Sequence, residues 1–159
     1  MPGQIARALK QRKFAKVEDE VLLGIRIVAS RILEPWGQFL KAQADLSNSQ
    51  YNALRILRGT HPGRLPSSEI GSRMIARDPD VTRLVDGMVK RGLVDRQRSE
   101  TDRRVVEVGI SPKGLALLAT LDPHVARMPA ALVGPLGKKK LRLMAGLLDE
   151  LLEKFGTFP

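Results

Sequence analysis

Cysteine is absent from this 159-residue sequence, and aromatic residues make up only 4% of it. Without cysteine the chain can form no disulfide, no thiolate nucleophile, no thiol redox sensor and no zinc site built on sulfur. Its two histidines, His61 and His124, lie far apart, and no group of carboxylates has the spacing of metal ligands. The sequence therefore predicts neither a metal nor any other cofactor.

Long apolar runs are also missing. None approaches the roughly 20 residues that a helix needs to cross a bilayer. Near the N-terminus, no apolar run leads to a cleavage site, so we expect no secretory signal. The sequence predicts a cytoplasmic protein without a membrane partner.

Positive charge, by contrast, is plentiful. The 27 Lys and Arg outnumber the 17 Asp and Glu, which gives a formal net charge of +10. Such a balance favours an anionic partner, although it also serves solubility. Residues 1–16 carry five Lys or Arg and no acid. We interpret them as a basic N-terminal arm with nothing to anchor its first residues, either solvated or reaching toward DNA.

A long helix is predicted over residues 17–44. Apolar side chains recur there at three- or four-residue steps and form one stripe. Pro35 lacks a backbone N–H, which predicts a bend. Trp36 beside it is expected in the core or an interface, with a ligand contact as the alternative. A second helix should begin after Ser47, because Ser47 and Gln50 have the spacing of a capping box.

Two shorter helices are predicted next, after a brief strand at Leu65-Pro66. The first should be capped by Ser67, with its apolar residues pointing inward: Ile70, Met74 and Ile75. The second should begin with Asp78 as N-cap and Pro79 at the first helical position. Its outward face then presents Thr82 and Arg83 near the N-terminal end.

A β-hairpin with a charged tip follows, because residues 105–110 alternate as a strand does. Two short helices and such a hairpin make a winged helix-turn-helix, a shape suited to the grooves of DNA. Residues 111–159 then read as helices, which Pro123 and Pro129 should bend or break. The apolar face of the last helix is too large for a lone element, so it should pack on the first helix, a second subunit, or both. The expected fold is mainly α with a small β-hairpin wing.

Several ordered segments carry a family resemblance: Leu46-Ser47-x-Ser49-Gln50-Tyr51, Val81-Thr82-Arg83-Leu84-Val85, Arg91-Gly92-Leu93-Val94, Asp102-x-Arg104 and Ser111-Pro112-Lys113-Gly114. Each is common alone, but the ordered set resembles MarR-family transcriptional regulators over nearly the whole chain, from about residue 20 to residue 155. The resemblance implies one domain over residues 17–159. In it, residues 17–44 and 111–159 are dimerisation helices and residues 45–110 form the winged helix-turn-helix lobe.

The resemblance also implies a function. The protein would be a homodimer that binds a pseudo-palindromic operator in double-stranded DNA and represses a nearby operon by occlusion. A small-molecule effector would release it. The peroxide-sensing mode that some members carry out with a cysteine is excluded here, because the chain has none.

DNA-binding residues can be proposed within that frame. Thr82 and Arg83 would reach base edges, with a thymine methyl and guanine O6/N7 as their targets. Arg83 holding a phosphate is the alternative. Phosphate contacts are further expected from the residues around the preceding helix and turn, for which capping or solvation is the alternative: Ser67, Ser68, Arg73 and Arg77.

The wing supplies the remaining candidates. Arg104 would enter the minor groove and Arg103 would contact the backbone, whereas Asp102 would pair with an arginine and orient it. A solvated hairpin tip is the alternative. Residues 73–104 hold nine Lys or Arg and six Asp or Glu, a net of +3. DNA recognition should therefore depend on the positions of individual side chains more than on the overall positive charge of this segment.

Two other classes of protein compete with a DNA-binding regulator. One is a winged-helix module that binds proteins and not DNA, which the placement of Thr82, Arg83 and Arg104 disfavours. The other is a small enzyme. The sequence offers no nucleophile–base pair, no metal-ligand spacing and no phosphate-binding loop, so we predict no enzymatic activity.

Overall fold

The computed structural model describes residues 3–76, 78–99 and 102–155. Helices predominate, and a small sheet lies in the middle of the chain. The elements follow in this order: α1 (Gln4–Ala8), α2 (Val17–Ala44), α3 (Asn48–Thr60), β1 (Leu65–Pro66), α4 (Ser67–Arg73), α5 (Val81–Lys90), β2 (Val94–Arg98), β3 (Val106–Ile110), α6 (Pro112–Val133), a 3₁₀ turn (Gly134–Leu136) and α7 (Gly137–Phe155).

The predicted long helix is confirmed with its boundaries, and it continues across Pro35 without interruption. Helix α6 likewise contains both Pro123 and Pro129 within one helical span. The sequence allowed either a bend or a break at these two prolines, and the helix is not broken at either of them. Among the described residues, no helix combines the length and the apolar character that crossing a bilayer requires.

From Gln4 to Ala8 the N-terminal arm is anchored, although the sequence suggested nothing to hold its first residues; residues 1 and 2 lie outside the described ranges. Helix α1 packs on α2, and its Ala6 is buried. Gly24 of α2 permits this approach, because a β-carbon there would lie 2.7 Å from Cδ1 of Ile5. The apolar pair Ile5-Ala6, set among basic residues, was the sequence signal for this contact.

Helix α3 begins as predicted. The Ser47 hydroxyl accepts the Gln50 N–H at 3.1 Å, and the Gln50 side chain accepts the Ser47 N–H at 3.0 Å. This reciprocal capping box satisfies two backbone donors that a helix start otherwise leaves unpaired. Leu46, immediately before the cap, is buried. The first residues of α3 are thereby fixed beside the end of α2.

The sheet has the strand order β1-β3-β2, and both pairings are antiparallel. In the wing hairpin, Val94 lies opposite Ile110 and Arg98 opposite Val106. Pro66 of the two-residue strand β1 lies opposite Glu107, on the other side of β3. The predicted hairpin is therefore confirmed, with a short third strand that joins the wing to the start of α4.

The chain divides into two compact units, with the boundary after Leu115. The first unit has a core built mainly from aliphatic side chains, as the scarcity of aromatics requires. Its largest fully buried side chains come from α2, the α2–α3 turn, α3, α4, α5, the turn after α5 and the sheet: Leu40, Leu46, Leu54, Leu57, Ile70, Val85, Met88, Leu93 and Val108. The second unit contains α7, and no residue of α7 is buried.

Candidate nucleic-acid interface

Helix α5 begins later than the sequence predicts. Its N-cap is Asp80, whose carboxylate accepts the Arg83 N–H at 2.9 Å. The Asp78 carboxylate instead accepts the Asp80 N–H at 3.0 Å, in the loop before the helix. The predictions of Asp78 as N-cap and Pro79 at the first helical position are therefore wrong. Asp80 prevails because its side chain reaches the backbone N–H three residues later, in the first turn.

With Asp80 as the N-cap, the two candidate base readers lie at the tip of the helix. Thr82 and Arg83 become its second and third residues, and both are exposed. Val85 and Met88 lie fully buried on the opposite face, as the apolar spacing predicts. Gly92 has a φ of +68°, the left-handed conformation that glycine adopts readily after a helix end.

The start of α4 also differs from the prediction. Ser67 is the first helical residue, and Pro66 occupies the N-cap position without a side-chain cap bond. Pro66 has the extended conformation of β1, so helical geometry can begin only at Ser67. Ser67 as a cap is therefore wrong. Its side chain is half-buried, and that of Ser68 is exposed.

The turn after α4 exposes an apolar residue that the sequence placed inside. Ile70 and Met74 are buried as predicted, but 93% of Ile75 is exposed. The helix ends at Arg73, and Met74 is extended, so the helical period no longer carries Ile75 toward the core. The Ile75 N–H is held by the Asn52 side chain of α3 at 2.8 Å.

Arg73 is held in place by a carboxylate of its own helix. Its Nε and Nη2 both lie 2.8 Å from Oε1 of Glu69, one turn earlier. About half of each side chain remains exposed, so the pair can face an external anion. Arg77, the other candidate in this turn, lies outside the described residues.

In the wing, Asp102 braces the backbone of an arginine. Its carboxylate accepts the Arg104 N–H at 2.9 Å, and its carbonyl accepts the Val105 N–H at 2.9 Å. The sequence led us to expect pairing with an arginine side chain, whereas the bond that the structure describes is to the main chain of Arg104. Arg103 and Arg104 are both exposed. The adjoining tip residues, 100 and 101, lie outside the described ranges.

Ion pairs that sequence reasoning missed connect β2 to α5 and to the segment before β1. Asp86 of α5 and Arg96 of β2 are joined at 2.6 Å. Arg64, just before β1, pairs with Asp95 of β2. An acid on the outward face of a helix meant to meet DNA was the available signal for the first pair. Because both arginines are engaged by carboxylates, they add little to a general positive field.

Arg91 makes a third contact that the sequence did not suggest. From the end of α5, its guanidinium donates to the Asp45 carbonyl at 2.5 Å and the Ala44 carbonyl at 2.8 Å, at the end of α2. Asp45 also pairs with Lys41. That hydrogen bond and the charge of Lys41, with a smaller contribution from Arg91, hold the pKa of Asp45 below its usual value of 3.8.

Comparison with known proteins decides the family. A crystal structure of a MarR transcription factor from Planctomyces limnophilus is 34% identical and matches with a TM-score of 0.63, over 86% of this chain and 98% of that one. The MarR family model matches residues 46–106. The chain belongs to the MarR family. The expected fold, mainly α with a winged helix-turn-helix, is thereby confirmed.

Further relatives agree with this assignment. The HTH-type transcriptional regulator YhbI of Bacillus subtilis is 30% identical over 125 residues, which cover 77% of this chain and 75% of YhbI. The fold of this MarR-family chain also matches a crystal structure of the S. aureus MepR–DNA complex, with a TM-score of 0.74 at 20% identity, over 84% of this chain and 94% of that one. YhbI is named as an HTH-type transcriptional regulator, and the MepR structure is a complex with DNA. Within the described residues, no cluster of three or more His, Asp or Glu could hold a metal ion.

Proposed function

We propose that this MarR-family protein is a homodimeric, cytoplasmic repressor that binds a pseudo-palindromic operator and is released by a small ligand. The observation that carries the proposal is the tip of α5, where Thr82 and Arg83 are exposed directly after the Asp80 cap. Winged-helix proteins of this kind present the N-terminal end of such a helix to base edges in the major groove.

Arg83 is the principal base reader in this proposal. The Asp80 cap binds its backbone N–H, so the cap does not occupy its guanidinium. That group can donate two hydrogen bonds to guanine O6 and N7, whereas the Thr82 methyl can contact a thymine methyl. The two residues would therefore contribute sequence specificity.

Phosphate contacts would position the lobe without reading sequence. Ser67 and Ser68 offer hydroxyl donors at the start of α4. Arg73 offers a guanidinium that Glu69 holds in one orientation. Arg77 is assigned to the same role from the sequence alone.

The wing would occupy the adjacent minor groove. Arg104 is the residue proposed to enter it, since narrow A·T-rich grooves attract guanidinium groups, and Arg103 would contact the backbone beside it. Asp102 acts indirectly, because its bond to the Arg104 N–H orders the loop that carries both arginines. Asp102 itself need not touch DNA.

Large exposed apolar faces support a homodimer. Along α2, side chains at least half exposed include Val17, Val21, Leu22, Val28 and Leu33, and along α7 they include Leu143, Leu147, Leu152 and Phe155. A soluble monomer seldom leaves apolar helix faces of this extent in water. A second copy related by a twofold axis would cover it, and the same symmetry would match a palindromic operator.

A small aromatic cluster supports ligand release. Trp36 of α2 stacks on Phe39 with ring centroids 5.3 Å apart and meets the edge of Tyr51 of α3 at 5.2 Å. The Tyr51 hydroxyl accepts from Arg55 at 3.1 Å. All three rings are half-buried, so they could receive a planar ligand between a dimerisation helix and the DNA-binding lobe.

An electrophoretic mobility shift assay tests the proposal, with the duplex upstream of the protein's own gene as probe. We expect a specific shift that weakens steeply as salt rises, and a dimer by sedimentation at micromolar concentration. A monomer would contradict the dimer. If folded protein gives no shift even at low salt, the result would favour a winged-helix module that binds proteins instead of DNA.

A further inference from the structure

Arg91, at the end of the proposed recognition helix α5, connects the lobe to α2 and to the start of α6. Its guanidinium donates to the last carbonyls of α2, at 2.5 Å to Asp45 and 2.8 Å to Ala44. These carbonyls are 46 and 47 residues away in sequence. The planar guanidinium suits two such bonds, and a cation is favourable at the negative end of a helix.

The backbone around Arg91 is held from the other side by the start of α6. The Lys113 ammonium donates to the Arg91 carbonyl at 2.8 Å, and the Ser111 hydroxyl donates to the Gly92 carbonyl at 2.7 Å. The C-terminal end of α5 is therefore fixed by direct hydrogen bonds to the ends of two other helices. Its N-terminal end, with Thr82 and Arg83, faces outward.

We propose that Arg91 is a positioning residue that sets the direction of α5 relative to α2 and thereby the spacing of the half-sites that the protein accepts. This inference rests on the proposed homodimer, in which α2 belongs to the base that relates the two lobes. Arg91 need not touch DNA in this role. It would act through the helix that carries Thr82 and Arg83.

The dimensions of α5 make such an effect large enough to measure. A helix of its length spans about 15 Å, so a tilt of about 10° around its C-terminal end displaces its tip by about 2.6 Å. Adding one base pair moves a half-site by about 3.4 Å and rotates it by about 34°. Shared between the two lobes, this change is about 1.7 Å and about 17° for each. Loss of the Arg91 anchor would therefore let each lobe follow the displacement, and part of the rotation, of a half-site moved by one base pair.

Two simpler roles for Arg91 predict different results. If Arg91 only stabilised the end of α2, its replacement would lower the melting temperature and leave the spacing preference unchanged. If Arg91 bound a phosphate, its replacement would weaken binding to every spacing alike and reduce the salt dependence by about one counterion. A change in spacing preference is specific to the positioning role.

The experiment begins with wild-type protein and a pool of random-sequence duplexes, from which the operator is selected. Dissociation constants are then measured at one salt concentration for operators with the selected spacing and with one base pair added or removed. The variants are Arg91→Met and Arg91→Lys. Lys90→Met is the matched control, because it removes the same charge from the neighbouring exposed residue of α5.

We expect wild type and Lys90→Met to lose about tenfold or more in affinity when the spacing changes, as for a poorly matched site. Arg91→Met should lose less than about threefold in affinity for the same change of spacing, and it should remain a dimer. Arg91→Lys should fall between them, because an ammonium lacks the planar fork of a guanidinium. If Arg91→Met does not fold, Arg91→Lys provides the test.

A spacing profile of the folded Arg91 variants that matches wild type would overturn the inference. So would a uniform loss of affinity with a reduced salt dependence. A wild-type selection that yields no paired half-sites would overturn the proposed function itself, and this inference with it, before any variant is measured.

Discussion

The side chain of Arg64 crosses the backbone of Gly109 so closely that a β-carbon at position 109 would lie 3.0 Å from Arg64 Cζ and 3.1 Å from its Nη1. Arg64 is paired with Asp95, which lies directly opposite Gly109 in the wing hairpin. The missing side chain at position 109 therefore makes room for the ion pair that ties the segment before β1 to β2.

This relationship predicts that Gly109→Ala destabilises the protein, although alanine normally suits a strand better than glycine. We expect the free energy of unfolding to fall by about 1–3 kcal/mol in chemical denaturation, because the methyl group displaces a guanidinium that is held in place. In an Arg64→Ala background the same substitution should be neutral or slightly stabilising. Equal costs in both backgrounds would show that the arginine is not the cause.

The cap of α5 gives a second prediction. Asp80→Ala should lower the free energy of unfolding by about 1 kcal/mol, because the Arg83 N–H loses its acceptor. Asp80→Asn retains an acceptor and should lower the free energy of unfolding by only a few tenths of a kcal/mol, on the order of the difference between good capping residues. Thermal or urea unfolding of the two variants separates the cases. If both lose the same stability, the cap bond contributes nothing measurable.

Ile70 and Ile75 should respond very differently to truncation. Ile70 is fully buried and Ile75 is 93% exposed. Ile70→Ala should therefore cost about 2–5 kcal/mol, whereas Ile75→Ala should leave stability within about 0.5 kcal/mol of wild type. Urea midpoints compare the pair directly. A large loss at Ile75 would mean that the turn packs inward, as its sequence alone suggested.

Asp45 should contribute to stability in a pH-dependent way. Its pKa is lowered in the folded protein, chiefly by the hydrogen bond from Lys41 and the charge of that group. A lowered pKa means that the contribution is present above the unfolded value of 3.8 and is lost as the pH falls through the folded pKa. Asp45→Asn should remove it while tolerating the left-handed backbone at φ 51°.

The measurement for Asp45 is the melting temperature of wild type and Asp45→Asn between neutral pH and acid. We expect wild type to be the more stable at neutral pH, with the difference closing in acid. Added salt should reduce the difference at neutral pH, because the pair is exposed and therefore screened. A difference that is independent of pH would exclude the carboxylate as its source.

In the wing, Arg104→Ala should weaken operator binding about tenfold or more at fixed salt, because a good contact in a DNA groove contributes about 1–3 kcal/mol. Asp102→Asn is the companion variant, because its amide oxygen can still accept the Arg104 N–H. It should bind nearly as wild type does. Unchanged affinity of Arg104→Ala, measured on the same duplex, would remove Arg104 from the interface.

Local signals predicted the elements of this chain well where neighbouring residues decide the outcome. Short-range chemistry explains the capping box of Ser47 and Gln50, the end of α5 before Gly92 and the bounds of α2. The start of α5 did not, because both Asp78 and Asp80 are good capping residues. In the structure the Asp80 carboxylate caps the helix, and the Asp78 carboxylate binds the Asp80 N–H.

The sequence by itself determined the family, the aliphatic core, the exclusion of cysteine chemistry and the outward position of Thr82 and Arg83. These depend on composition and on helical spacing over a few residues. Only the tertiary structure decided the contacts of Arg64 with Gly109, Asp86 with Arg96, and Arg91 with Ala44 and Asp45. Those contacts join residues far apart in the chain, and folding alone brings such side chains within hydrogen-bond or van der Waals distance.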